Sequence, residues 1–136
     1  MAAISQMEMY IIETLRTNGL SDAEILEKAK NKEEESLNRI SSNFDYQLLF
    51  VLYEKDPEVF RKILEEGYRV KFLTLRGLYS LLSMKFSIEE NQFVALENGL
   101  KNLEINEETL QKIEGILSPN WCVNHTKVGY QITLKP

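Results

Sequence analysis

The chain has 136 residues, of which 43% are hydrophobic and 27% charged, and it carries a net charge of −5. That is the length and balance of one globular domain and argues against a disordered or fibrous chain. The acidic balance disfavours indiscriminate binding to nucleic acid or an anionic membrane, and the densest apolar run, residues 48–52, is far shorter than the ~18 residues that span a bilayer.

Ile4, Met7, Ile11, Ile12 and Leu15 recur at helical spacing and predict a first amphipathic helix, ended by Asn18-Gly19. Ser21 with Glu24 reads as a capping box that opens a second helix through Ile25, Leu26 and Ala29. That helix either breaks near Asn31 or continues to Ile40. Glu33, Glu34 and Glu35 face water in both cases.

Residues 41–43 read as a turn, and 44–53 as a buried helix. Asp56-Pro57-Glu58 opens another helix, with Asp as N-cap and Pro at the first helical position; Gly67 ends it. Residues 68–73 alternate Tyr68, Val70 and Phe72 with Arg69 and Lys71, the pattern of a short strand. Thr74 caps a helix over 75–84, Ser87 caps one over 89–99, and Asn106 caps one over 107–117. Strands at 121–124 and 130–134 around a turn at 125–129 form a terminal hairpin.

The expected fold class is mainly α within α+β: six or seven short helices, a short central strand and a C-terminal β-hairpin. A single domain over 1–136 is expected, with an N-terminal helical hairpin, 1–42, packed on 43–136. No basic, apolar leader is visible, and one cysteine, Cys122, cannot form an internal disulfide, so a cytoplasmic protein is expected.

Charge is uneven along the chain. Residues 1–68 carry 8 Lys/Arg against 14 Asp/Glu, net −6, and residues 69–136 carry 8 against 7, net +1. Residues 69–88 hold Arg69, Lys71, Arg76 and Lys85 without an acidic residue, while 89–114 hold seven Glu against Lys101 and Lys112.

Signals for catalysis are weak. His125 is the single histidine and falls in the hairpin turn. Cys122 and His125 have C-x-x-H spacing, but a zinc site needs about three or four protein ligands and no second Cys or His exists. No Gly-rich phosphate loop is present. Neither metal nor cofactor is expected, and the chain reads as non-catalytic; an enzyme built on His125 and Cys122 is the remote alternative.

Two segments resemble DNA-binding motifs. Residues 15–25, with Gly19-Leu20-Ser21, look like a helix–turn–helix, although Glu33, Glu34 and Glu35 in the reading position would repel phosphates. The order helix 57–66, strand 69–73, helices 75–84 and 89–99, and a wing at 121–134 resembles a winged helix domain. That resemblance implies duplex DNA binding, with one helix in the major groove and basic wing residues on phosphates. The chain departs from the pattern in its extra helix at 107–117 and in a recognition helix without Arg or Lys.

The leading expectation is therefore a small intracellular regulatory or adaptor domain acting by protein–protein binding. Its contact residues would be Arg69, Lys71, Arg76, Tyr79, Lys85 and Lys127. The partner would be another protein or a second copy of the chain, with no membrane and no metal. A winged helix transcriptional regulator that binds DNA is the alternative.

Overall fold

Polar side chains cap five of the seven α-helices in the computed structural model, which describes residues 1–136. The chain divides into two units, Met1–Tyr68 and Arg69–Pro136.

The first unit holds a two-residue strand β1 (Ala3–Ile4) and helices α1 (Gln6–Thr17), α2 (Asp22–Lys30), α3 (Glu34–Ile40), α4 (Gln47–Lys55) and α5 (Pro57–Glu66). Ser21 and Glu24 form the expected capping box, and Ser5 with Glu8 forms a second one that starts α1. Helix α2 stops at Lys30, and Lys32 takes a left-handed φ of 50° before α3 begins, which settles the break near Asn31. Asp56 accepts from the Glu58 and Val59 amides, as its place before Pro57 requires.

Helix α2 packs against α1, α3, α4 and α5, so residues on both sides of 41–43 contribute to one core. Met9, Ile11, Ile12, Leu15, Ile25, Leu49, Phe50, Phe60 and Ile63 are buried in it. The division of the chain falls instead between Tyr68 and Arg69, inside the segment the alternation marks as one strand.

A polar network is buried in this apolar unit. Glu13 is only 2% exposed, and its Oε2 accepts from the Tyr68 hydroxyl at 2.6 Å and from Arg16 Nη1 at 2.9 Å. Arg16 also donates to Asp22 and to the Leu64 carbonyl at the end of α5. A buried carboxylate is tolerated when it is paired and hydrogen-bonded, as here.

The second unit holds strand β2 (Arg69–Val70), α6 (Leu75–Phe86), a 3-10 turn (Glu90–Gln92), β3 (Val94–Leu96), β4 (Gly99–Leu103), α7 (Glu107–Ile116), β5 (Trp121–Thr126) and β6 (Gly129–Leu134). β3 to β6 form one antiparallel sheet in the order β3-β4-β6-β5. Leu100, Ile132 and Val123 are in register across β4, β6 and β5, and therefore share a face.

The α+β class and the terminal hairpin are as expected, but the helix over 89–99 is not. Ser87 sits in the left-handed region at φ 55° and ends α6, its amide bonding back to Leu82 and Ser83 carbonyls. The residues that follow make the β3–β4 hairpin around Glu97 and Asn98. Gly99 makes this pairing fit. At φ 155°, a Cβ there would lie 1.9 Å from the Ile132 carbonyl oxygen. The recognition helix of a winged helix is thus replaced by a hairpin, and the would-be wing is half of a four-stranded sheet.

Candidate protein-binding surface

The basic segment that begins the second unit is built around two buried residues, Val70 and Leu73. Leu73 is fixed through its backbone as well as its side chain. Its amide donates to Ser118 Oγ at 2.9 Å, and its carbonyl accepts from Trp121 Nε1 at 2.8 Å and Asn120 Nδ2 at 3.1 Å. Ser118 Oγ in turn is bonded to Asn120 Oδ1. Directly after Leu73, Thr74 caps α6 by accepting from the Gly77 amide.

Between these anchors the chain projects Lys71 and Phe72 outward. Phe72 is 63% exposed, the most exposed aromatic side chain of the protein. Arg69 on β2 and Arg76 in the first turn of α6 are exposed on either side of it in the sequence. None of Arg69, Lys71 and Arg76 forms an ion pair. The first turn of α6 holds no acidic residue, so Arg76 adds its charge to the positive end of the helix dipole. The result is a large apolar side chain among three unpaired cations on a fixed backbone.

The other expected contact residues do not join this group. The Tyr79 hydroxyl donates to the Gly99 carbonyl at 2.6 Å, its ring lies 5.4 Å from that of Phe93, and burial pushes its phenol pKa up. Its role is to tie α6 to the β3–β4 hairpin. Lys85 lies nine residues beyond Arg76, about half a turn round the helix axis and ~13 Å along it. As a cation in the last turn of α6 it suits the helix dipole. Lys127 stands at the tip of the β5–β6 hairpin, ~20 Å along the strand from Trp121, the residue that bonds Leu73.

Phe72 is the contact residue that strand alternation hides. Period two puts it on the same side as Tyr68 and Val70. The strand stops at Val70, however, and Leu73 takes the buried place. One sequence signal does mark this: Leu73 precedes the Thr74 cap and Leu78 follows it by four, the spacing of a hydrophobic staple.

Cys122 and His125 are not set up to act together. Three residues apart on β5, they project from opposite faces of the sheet. His125 is a strand residue rather than a turn residue, paired with Tyr130 and stacked on its ring at 4.6 Å. No helix is long and apolar enough to cross a membrane. No family model, curated protein or solved structure matches this chain.

Proposed function

We propose that the protein is a small non-catalytic regulatory or adaptor domain that binds another protein through Arg69, Lys71, Phe72 and Arg76. The observation that carries this reading is the exposure of Phe72 among three unpaired cations, on a segment that the Leu73 clamp holds in place. Aromatic and Arg side chains are the usual anchors of protein interfaces. A backbone already fixed loses little entropy on binding. A cytoplasmic setting belongs to the same proposal, and the free thiol of Cys122 is its support. Duplex DNA is the weaker ligand for this surface, because the helix that would enter the major groove is a hairpin.

Affinity capture from lysate with the full chain tests this, run beside Phe72→Ser, Arg76→Glu and Lys127→Glu. The expected result is a partner that Phe72→Ser and Arg76→Glu lose and Lys127→Glu keeps. Capture that ignores Phe72 and Arg76 would overturn the reading. So would a mobility shift on duplex DNA that weakens steeply between about 50 and about 200 mM salt.

A further inference from the structure

A second exposed apolar surface has the opposite charge. On α4, Leu48 and Val51 lie three residues apart on one helix face, and Val51 is 60% exposed. Glu34 and Asp45 flank its N-terminal end. Gln47 Nε2 donates to Glu34 Oε2 at 3.2 Å, which holds Glu34 at the first turn of α4. Asp45 stands just ahead of the helix, and Glu54 follows Val51 by three on the same face. Lys32 is paired with Glu54, and Lys55, four residues after Val51 and seven after Leu48, is a cation on the same face.

We infer that the occupant of the Arg69, Lys71, Phe72 and Arg76 surface is the Leu48 and Val51 stripe of a second copy of this chain. The inference rests on the binding reading above and adds the identity of the partner. One surface is an apolar side chain among cations, the other an apolar stripe with Glu34 and Asp45 at its N-terminal end, and both are uncovered within one chain. Oppositely charged rims steer encounter and fix register, while the apolar centres supply the affinity. The two surfaces differ, so the contact is heterologous: each copy offers a donor surface and an acceptor surface.

Sedimentation equilibrium of the full chain tests this over about three decades of concentration, at about 50 and about 300 mM salt. The expected result is a mass that rises with concentration and falls back at the higher salt. Phe72→Ser and Val51→Lys should each weaken association by about tenfold or more. Mixed together they should form a one-to-one complex, because each retains the surface that the other has lost. Both positions are exposed, and far-UV circular dichroism checks the fold. If either variant loses helix signal, Arg76→Ala and Glu34→Ala replace them in the same mixing design, uncharged so that the two altered surfaces do not attract each other.

A chain that stays monomeric throughout would overturn the inference. So would an association that either single variant leaves unchanged, or a mixture that forms no complex. A monomer that still captures a different protein through Phe72 would overturn self-association alone. A monomer that captures nothing through Phe72 would remove the binding reading as well.

Discussion

In the first unit five of eight cations, Arg16, Lys28, Lys32, Arg39 and Arg61, face a carboxylate, whereas in the second Lys112 pairs with Glu108 and Arg69, Lys71, Arg76 and Lys127 face none. Net charge does not explain the contrast in a simple way. Residues 1–68 hold 14 acids for 8 cations, so most cations there find a carboxylate nearby. Residues 69–136 hold 7 acids for 8 cations, which would be enough for pairing. They are segregated instead: the acids all lie in 89–114, and most cations lie on either side of that stretch. Apart from Arg16 with the buried Glu13, these pairs are largely exposed and contribute only about 0–1 kcal/mol each, so they add little stability. What differs is the field each unit presents to a partner. The first, net −6, keeps most of its cations beside carboxylates, and the second offers three unpaired cations around Phe72.

The largest expected effect breaks the second unit alone. Gly99→Ala would drive a Cβ into the Ile132 carbonyl, in a backbone conformation that L side chains avoid. A loss of about 3 kcal/mol or more is expected, read from the denaturant midpoint. Amide hydrogen exchange should rise in β4 and β6, while α1 and α2 keep their protection.

The next effect breaks the first unit. Tyr68→Phe removes a buried hydrogen bond to Glu13 and should cost about 2 kcal/mol at neutral pH. Its pH dependence is diagnostic. Burial, and then the Glu13 carboxylate, push the Tyr68 phenol well above its ordinary value. The folded chain therefore holds this proton more tightly than the unfolded chain. The stabilisation is complete below about pH 10 and is lost as pH rises past it, by up to about 1.4 kcal/mol per pH unit. Tyr46 and Tyr79 are raised by burial in the same direction. Alkaline unfolding curves of wild type and Tyr68→Phe should converge as pH climbs. Parallel curves would remove this account.

A smaller effect sharpens the comparison, because it touches what positions Phe72. Ser118→Ala strands the buried Leu73 amide and should cost about 1–2 kcal/mol. Backbone relaxation by NMR should show residues 71–73 loosening on the nanosecond scale. Partner binding should fall several-fold although no contact residue has changed.

The caps were legible from sequence because each needs only a short polar residue at one end of an apolar stripe. Ser21, Asp56, Thr74 and Asn106 all cap as their positions imply. The stretch around Phe93 was not legible, because Phe93, Val94, Leu96 and Leu100 fit a helix face as well as they fit a hairpin. The turn is Glu97-Asn98, with Gly99 opening β4 opposite Leu96, and the pairing of β4 with β6 outweighs the periodicity. Asn102, at φ 58° in β4, marks the irregular register with β6, and only tertiary pairing produces it. The basic segment is visible as composition, but a strand period over 68–73 puts Phe72 on the side of Tyr68 and Val70, and that period holds for two residues only. Local rules fail there because Leu73 is held by Ser118, Asn120 and Trp121, more than forty residues away.

The smallest effect carries the sharpest sign. Helices α1, α2, α3, α5 and α7 all place acidic residues in their first turns, where the helix dipole favours them. Helix α6 places Arg76 there instead, against the dipole. Arg76→Glu should therefore raise stability by about 0.3–1 kcal/mol at low salt, read as a higher denaturant midpoint, and salt should shrink the gain. The same substitution should weaken partner binding by about tenfold or more. Opposite signs from one exposed residue would mean that Arg76 is kept for contact at a small cost in helix stability. If stability rises and binding is unchanged, Arg76 is only a poorly placed surface charge, and the functional weight of this segment falls on Phe72 and Lys71 alone.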